Sequence, residues 1–365
     1  MHVRLVHHPQ TLSSGPESGL CNQIFALIGY VIQAYRAHAD LVMPNFTSAA
    51  SGGYDVPFDQ LFDPGAFARS LRRLNITTWR EPPSGVSPEG FNFTVERPYY
   101  LVGWQTMKTM AHHDVNVSVF EDAVLFGLRP SAAIMHRVEI ARRKYLGDEP
   151  YGCMHARIET DMAKSWVMNR AGKPPRLNPM LAAMGNESKI TSLSRILVAV
   201  GSAITAEDNA TLNRPTAWNA TMVQIKSGKL GIVHHRPNHK NRTSSISVIH
   251  AALVDFQLCR QAEWIVGWPG STFARTLAYY HTHERGAYFL SCGNGTMWHE
   301  TSLDGWRDHQ ACLHPRRQAS NTTTSGGQTK FYRGRAYIYD FRSLDIELER
   351  IANASANSMP LNVGA

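Results

Sequence analysis

Short apolar runs alternate with longer helical segments along this chain, and that alternation restricts the folds open to it. Val3 to His7 reads as a strand, Leu20 to Ala37 is apolar nearly all round as a buried helix is, and Leu41-Val42-Met43 is a short strand stopped by Pro44. A strand–helix–strand unit of this kind opens a parallel sheet. Phe58 to Phe67 mixes turns with helix, Tyr99 to Trp104 reads as a further strand, and Ser131 to Tyr145 as a helix ending in Arg142-Arg143-Lys144. Gly147-Asp148-Glu149-Pro150 reads as a linker. The alternation then resumes with strands at Tyr151–Ala156, Ile196–Val200, Gly231–His235, Trp264–Trp268 and Ala287–Leu290. Ser244-Ser245 can cap a helix through Ile249, Leu253, Phe256 and Cys259, and Gly270-Ser271-Thr272 opens another through Tyr280. The pattern predicts two successive parallel α/β domains, 1–147 and 148–315. A polar linker and a helical tail follow over 316–365. A length of 365 residues suits two domains.

Composition narrows the class. Hydrophobic residues make up 43% and charged residues 18%, as in an ordinary globular protein. No apolar stretch approaches the roughly 20 residues needed to span a membrane. Met1 to Val6 looks like an opening strand rather than a signal peptide, so any membrane attachment is expected to come from an anchor not present in this chain. The net charge of +8 suits an acidic partner such as a nucleoside diphosphate or an anionic glycan. Lys and Arg are spread along the chain without a binding motif, which argues against nucleic acid.

Eleven Asn-X-Ser/Thr triplets occur, at Asn45, Asn75, Asn92, Asn116, Asn186, Asn209, Asn219, Asn241, Asn294, Asn321 and Asn353. With 18 Asn and 50 Ser plus Thr in the chain, chance predicts roughly 2.5. The excess points to passage through the lumen of the secretory pathway, the endoplasmic reticulum or Golgi. Five cysteines are too few for a disulfide scaffold. Cys153 and Cys259 read as buried thiols, whereas Cys292 and Cys312 flank a Gly/Asn-rich loop and could pair in an oxidising lumen. No Cys/His spacing suggests zinc, and the adjacent pairs His7-His8, His112-His113 and His234-His235 do not converge on one metal.

Three places put small or polar residues where an element ends: Gly19-Leu20-Cys21-Asn22-Gln23, His155 to Asp161, and Gly267-Trp268-Pro269-Gly270-Ser271-Thr272-Phe273. In an extended backbone His155, Arg157, Glu159 and Asp161 share one face. An exposed edge strand with a salt-bridge ladder is the plainer reading. A strand end facing a cleft is the sharper one, with Arg157 offering a planar fork of donors to phosphate and the carboxylates beside it positioning a second substrate. Ser271 and Thr272 can cap a helix or, with Gly270, cradle phosphate at its start. Asp255 sits between Val254 and Phe256 in an apolar helix, so its carboxylate should face a donor, either a neighbouring Arg or a guanine edge.

These residues resemble a family. Gly19-Leu20-Cys21-Asn22-Gln23, the following helix and Leu41-Val42-Met43-Pro44-Asn45-Phe46 look like the opening of the plant-type protein O-fucosyltransferase family. Phe58-Asp59-Gln60-Leu61-Phe62-Asp63 resembles its aromatic–Asp segment. His155-Ala156-Arg157-Ile158-Glu159-Thr160-Asp161-Met162 is similar to its His-Leu-Arg block. Asp255 with Trp264-Ile265-Val266-Gly267 and Ser271-Thr272-Phe273-Ala274 resembles its donor-binding motif, in a form closer to the animal fucosyltransferases. The matches run in family order from 19 to 280.

The resemblance implies a GT-B glycosyltransferase. Two Rossmann-like domains would face each other across a cleft, the first on the acceptor side and the second binding the donor. It implies an inverting transfer of fucose from GDP-fucose to a hydroxyl of a protein or glycan, without a divalent metal or other cofactor. The absence of an Asp-x-Asp motif agrees with that. UDP-rhamnose as donor and a catalytically silent nucleotide-sugar or glycan binder are the alternatives. Carried over, Arg157 would hold the β-phosphate, His155 would contact the nucleotide or the phosphates, and Asp255 would read the base. Ser271, Thr272 and Phe273 would bind phosphate and sugar, and Asn22 would lie near the fucose and the acceptor. Some family members carry an acid or base three residues before the Asn. Gly19 stands there in this chain, so a general base would come from Glu159 or Asp161, with Glu17 as an outsider.

Overall fold

A computed structural model of the chain describes residues 5–6, 19–36, 38–48, 54–81, 117–158, 176–201, 204–225, 248–268, 271–282, 287–290 and 297–300. They fall into two compact units. One takes its described residues from Leu5 to Met135 together with 248–250, and the other from His136 onward with the remainder.

In the first unit, β1 (Leu5–Val6), β2 (Asp40–Val42) and β5 (Thr78–Trp79) form a parallel three-stranded sheet in the order β1-β2-β5. Helix α1 (Leu20–Arg36) makes the crossover between β1 and β2. It is buried nearly all round: Phe25, Ala26, Leu27, Ile28, Val31 and Ile32 are each at most 1% exposed, as its unbroken apolar sequence predicts. An antiparallel hairpin, β3 (Phe46–Ser48) with β4 (Tyr54–Val56), was not foreseen. It leads into α2 (Phe58–Leu61) and α3 (Pro64–Arg72). The Phe-Asp-Gln-Leu-Phe-Asp segment works twice there. Phe58, Phe62 and Phe67 gather round Phe46, with Phe58 and Phe67 5.0 Å apart. Asp63 caps α3, accepting from Gly65 N at 2.8 Å and Ala66 N at 3.1 Å with Pro64 as first helical residue. Helix α4 (Val117–Gly127) lies so close to α3 that a Cβ on Gly127 would meet Ser70 Cβ at 2.8 Å.

Helix α5 (Ala132–Ala141) carries the chain into the second unit and ends in a π-helical turn over 142–146 that contains the Arg/Lys cluster. Gly147 closes it at φ 72°, a conformation open to Gly. The second unit holds a six-stranded sheet ordered β11-β10-β9-β6-β7-β8. Its strands are β6 (Gly152–His155), β7 (Arg195–Ala199), β8 (Thr221–Val223), β9 (Ile265–Gly267), β10 (Ala287–Leu290) and β11 (Met297–Glu300). All neighbours are parallel except the β10–β11 pair. The sequence reading missed β8 and β11, both short and at sheet edges, where half-exposed positions break the apolar run. The strands expected at Tyr99–Trp104 and Gly231–His235 and the cap at Ser244-Ser245 lie outside the described residues.

Strand β6 is central, and all four of its residues are buried. On one side of its register lies β7 (Gly152 opposite Ile196, His155 opposite Ala199) and on the other β9 (Cys153 opposite Ile265). Helices α6 (Leu177–Met184), α7 (Ser188–Thr191) and α8 (Ala206–Leu212) follow β6 and β7 in the chain. The buried Asp208 carboxylate fastens two of them: it accepts from Leu177 N at 3.0 Å and from Thr205 Oγ1 at 2.7 Å and pairs with Arg176 at 3.3 Å. Two glycines set the spacing around β9. A Cβ on Gly152 would strike the Trp264 ring at 2.0 Å, and one on Gly267 would strike Ala274 Cβ at 2.4 Å.

Helix α9 (Val248–Gln261) supplies a covalent link to this sheet. Cys153 of β6 and Cys259 of α9 form a disulfide with their Cα atoms 5.1 Å apart. This corrects the reading of the two as buried free thiols. An apolar strand and an apolar helix are each compatible with a buried thiol, and nothing local in the sequence reveals that the two face each other. Cys21 is a buried free thiol, and Cys292 and Cys312 lie outside the described residues.

The disulfide closes a span of 106 residues, for which loop entropy alone gives about 4–5 kcal/mol. The double variant Cys153→Ala/Cys259→Ala is expected to lose stability on that order in urea unfolding, with a steeper slope than the parent's as the mark of a freer unfolded chain. A change below about 1 kcal/mol would show that the crosslink does not constrain the unfolded chain.

Candidate active site

The parallel sheet of the second unit directs the carboxyl ends of its strands to one edge, where open α/β sheets bind ligands. His155 is the last residue of β6, and Arg157 follows two residues later. The extended backbone does not continue past this point. Ala156 N still donates to Ala199 O at 3.1 Å, but Ile158 N turns back to Ala156 O at 2.9 Å. A tight turn centred on Arg157 thus ends the extended backbone on which the predicted alternation rests. Glu159 and Asp161 lie outside the described residues.

Beyond β9, Ser271 caps helix α10 (Thr272–Thr282). Arg275 N bonds to Ser271 O at 3.0 Å, and Ala274 N approaches Ser271 Oγ at 3.5 Å. That second contact is long, so most of the hydroxyl's bonding capacity is left for something else. The first turn of α10 also offers N–H groups with no intrahelical acceptor. Thr272 and Phe273 are half-buried, and Thr272 O accepts from Thr276 Oγ1 at 2.8 Å.

These two places meet. The His155 imidazole stacks on the Phe273 ring with centroids 4.5 Å apart and planes 21° from parallel. Phe256 of α9 meets Phe273 edge-on at 5.3 Å. Asp255 is the neighbour of Phe256 on that helix, so strand end, helix start and α9 converge within one unit. Phe256 is the member that the sequence reading did not assign to the site. Its place beside Asp255 in an apolar helix made it look like core.

Burial pushes the His155 imidazole down to about 3, and the Arg157 charge beside it acts in the same direction. His155 is 8% exposed, and its Nδ1 is buried without a hydrogen-bond partner. The ring is therefore neutral at pH 7, with one nitrogen facing an unfilled need. Asp255 is half-buried, and burial pushes its carboxyl up to about 7. The arginine partner considered for it is not there: among the described residues Asp255 has neither an ion pair nor a hydrogen bond. Asn22 is half-buried in the first turn of α1, in the other unit, with its N–H on Gly19 O at 3.1 Å. No three His, Cys, Asp or Glu side chains among the described residues converge as metal ligands.

No protein-family model and no curated protein sequence matches the chain. Solved structures do. A crystal structure of POFUT1 in complex with GDP superposes with a TM-score of 0.51 at 14% identity, covering 79% of this chain and 98% of that one. The fucosyltransferase NodZ from Bradyrhizobium aligns with a TM-score of 0.49 at 12% identity, over 82% of this chain and 99% of NodZ. The first likeness fixes the fold: the chain has the α/β architecture of the GT-B fucosyltransferases.

The charge state of Asp255 makes a testable statement. Its folded pKa lies above its unfolded one, so the group costs stability as pH rises from about 4 to about 7, and the cost is then constant. Asp255→Asn is expected to match the parent's melting temperature near pH 4 and to exceed it above pH 7, measured across that range. Equal melting temperatures at pH 8 would show the carboxylate to be well solvated.

Proposed function

We propose that this chain is an inverting glycosyltransferase that moves fucose from GDP-fucose to a hydroxyl of a protein or glycan. The observation that carries the reading is the His155–Phe273 stack, which joins the Arg157 strand end to the start of α10. A nucleoside diphosphate needs positive charge and directed donors, and this junction offers a guanidinium, a helix N-terminus and the Ser271 hydroxyl. Asp255 suits guanine in particular. A carboxylate accepts two parallel donors, and guanine presents N1–H and N2–H side by side where uracil presents a single N–H between two carbonyls. In this reading the base supplies the donors that the Asp255 carboxylate needs.

In the transfer, the acceptor oxygen forms a bond to C1 of fucose from the face opposite the diphosphate. The C1–O bond to the β-phosphate breaks, and GDP leaves with the electron pair. Charge builds on the β-phosphate oxygens, and Arg157 offsets it. The neutral His155 can hold a phosphate or ribose group through its unsatisfied nitrogen without adding charge. Ser271, Thr272 and Phe273 line the phosphate and sugar, and Asn22 belongs to the fucose and acceptor side. Glu159 or Asp161 takes the acceptor's proton. No divalent metal enters this scheme, since Arg157 and the helix terminus carry the charge stabilisation. The eleven sequons support a lumenal location, Golgi or endoplasmic reticulum, as does the Cys153–Cys259 disulfide.

Two measurements test the proposal. GDP is expected to raise the melting temperature more than UDP at equal concentration; the reverse order would move the donor to a uridine sugar. Arg157→Ala is expected to lower kcat by about 10²–10³ with the unfolding midpoint little changed. Near-parental transfer by that variant would remove Arg157 from the chemistry.

A further inference from the structure

Two of the Asn-X-Thr triplets, one in each unit, are built alike. Asn75 follows α3 and Asn219 precedes β8, and both are exposed. Both adopt left-handed backbone conformations, φ 56° and φ 63°, which Asn tolerates better than most residues. Each N–H closes a tight turn at 2.9 Å, from Asn75 to Arg72 O and from Asn219 to Thr216 O. The middle residue is buried in both cases, Ile76 at 2% and Ala220 at 0% exposure. The third residue is exposed in both, Thr77 just before β5 and Thr221 as the first residue of β8. In both triplets the Asn and the Thr are exposed on either side of that buried residue. The side-chain amides of Asn75 and Asn219 make no hydrogen bond among the described residues.

Asn186 is also exposed, but the middle residue of its triplet, Glu187, is half-buried rather than buried, and other described triplets differ further. Asn45 is half-buried and precedes Phe46, which is fixed in the aromatic cluster. Asn209 lies inside α8, and its carbonyl accepts from Asn213 Nδ2 at 2.8 Å.

We infer that Asn75 and Asn219 carry N-linked glycans when the chain passes through the secretory lumen. The donor is an oligosaccharide linked to a polyprenyl diphosphate, and the lumenal oligosaccharide-transfer enzyme is the catalyst. The side-chain amide nitrogen bonds to the anomeric carbon, whose bond to the diphosphate oxygen breaks. The lipid diphosphate leaves with the electron pair, and the amide gives up one proton. The hydroxyl of Thr77 or Thr221 is the feature that the transferring enzyme reads. Because both triplets point outward in the folded protein, a glycan on either displaces no native contact. This inference shares only the lumenal location with the proposed function and does not depend on fucose transfer.

The test is the full chain secreted from cultured eukaryotic cells, treated with a peptide N-glycosidase in 18O-labelled water and mapped by peptide mass. The peptides containing Asn75 and Asn219 are expected to carry 18O-labelled Asp. Thr77→Ala and Thr221→Ala should each abolish one of these labels, while Thr77→Ser and Thr221→Ser should retain it. GDP-induced melting shifts should be the same in all four variants. Secreted protein with the Cys153–Cys259 bond intact and both peptides unlabelled would overturn the inference, and one unlabelled peptide would overturn it for that residue. Because the readout is a mass, it stands whether or not the protein transfers fucose.

Discussion

The second unit depends on one crosslink between its central strand and the helix packed against it. Cys153 lies two residues before His155 and four before Arg157. Cys259 lies one helical turn after Asp255. The bond therefore fixes the register of the strand that presents the imidazole and guanidinium against the helix that presents the carboxylate. Neighbouring contacts repeat the same constraint: Tyr151 Oη donates to Leu258 O at 2.7 Å, and Cys153 N donates to Trp264 O at 2.9 Å. A covalent tie between distant segments reduces the freedom of the unfolded chain, and a buried one also limits how far two functional elements can slide. Gly152 and Gly267 belong to the same arrangement, because they let Trp264 and α10 come close enough for Phe273 to reach His155.

Two titratable groups perturbed by burial lie within this frame. Burial makes His155 a poor base and Asp255 a reluctant acid, so each resists its charged form when the site is empty. The Arg157 guanidinium beside His155 adds to its resistance. A group that offers a polar partner to His155 Nδ1 and a pair of donors to Asp255 would relieve both. Diphosphate alone or a neutral base alone satisfies only part of this. The proposed nucleotide donor would meet both demands at once.

Much of this was legible in sequence where periodicity carries the signal. The strand over Tyr151–Ala156, the helix over Leu20–Ala37 and the strand–helix step around Ser271 are recovered within a residue or two, because each buries an unbroken apolar face. Strands β8 and β11 were missed, since edge strands of three or four residues lack that face. The disulfide was missed for a different reason: pairing across 106 residues depends on tertiary proximity and leaves no local trace. Asp255 shows the limit within the site. Its sequence context shows that a buried carboxylate needs a donor, but only the folded structure shows that no arginine among the described residues supplies it.

Sharing a fold at 14% identity follows from the same physics. A parallel sheet with crossover helices asks for apolar character at regular spacing, and many residue choices satisfy it. A stacked His–Phe pair at a strand end, with a hydroxyl cap on the next helix, asks for specific atoms at specific places. The two demands leave different marks. The fold tolerates extensive substitution in α1 and β7, where any well-sized apolar residue serves. The His155–Phe273 stack is more demanding, because replacing either residue removes a ring that the pair needs. In a chain this far from its structural relatives, the chemistry at the strand ends is therefore a better guide to activity than overall similarity.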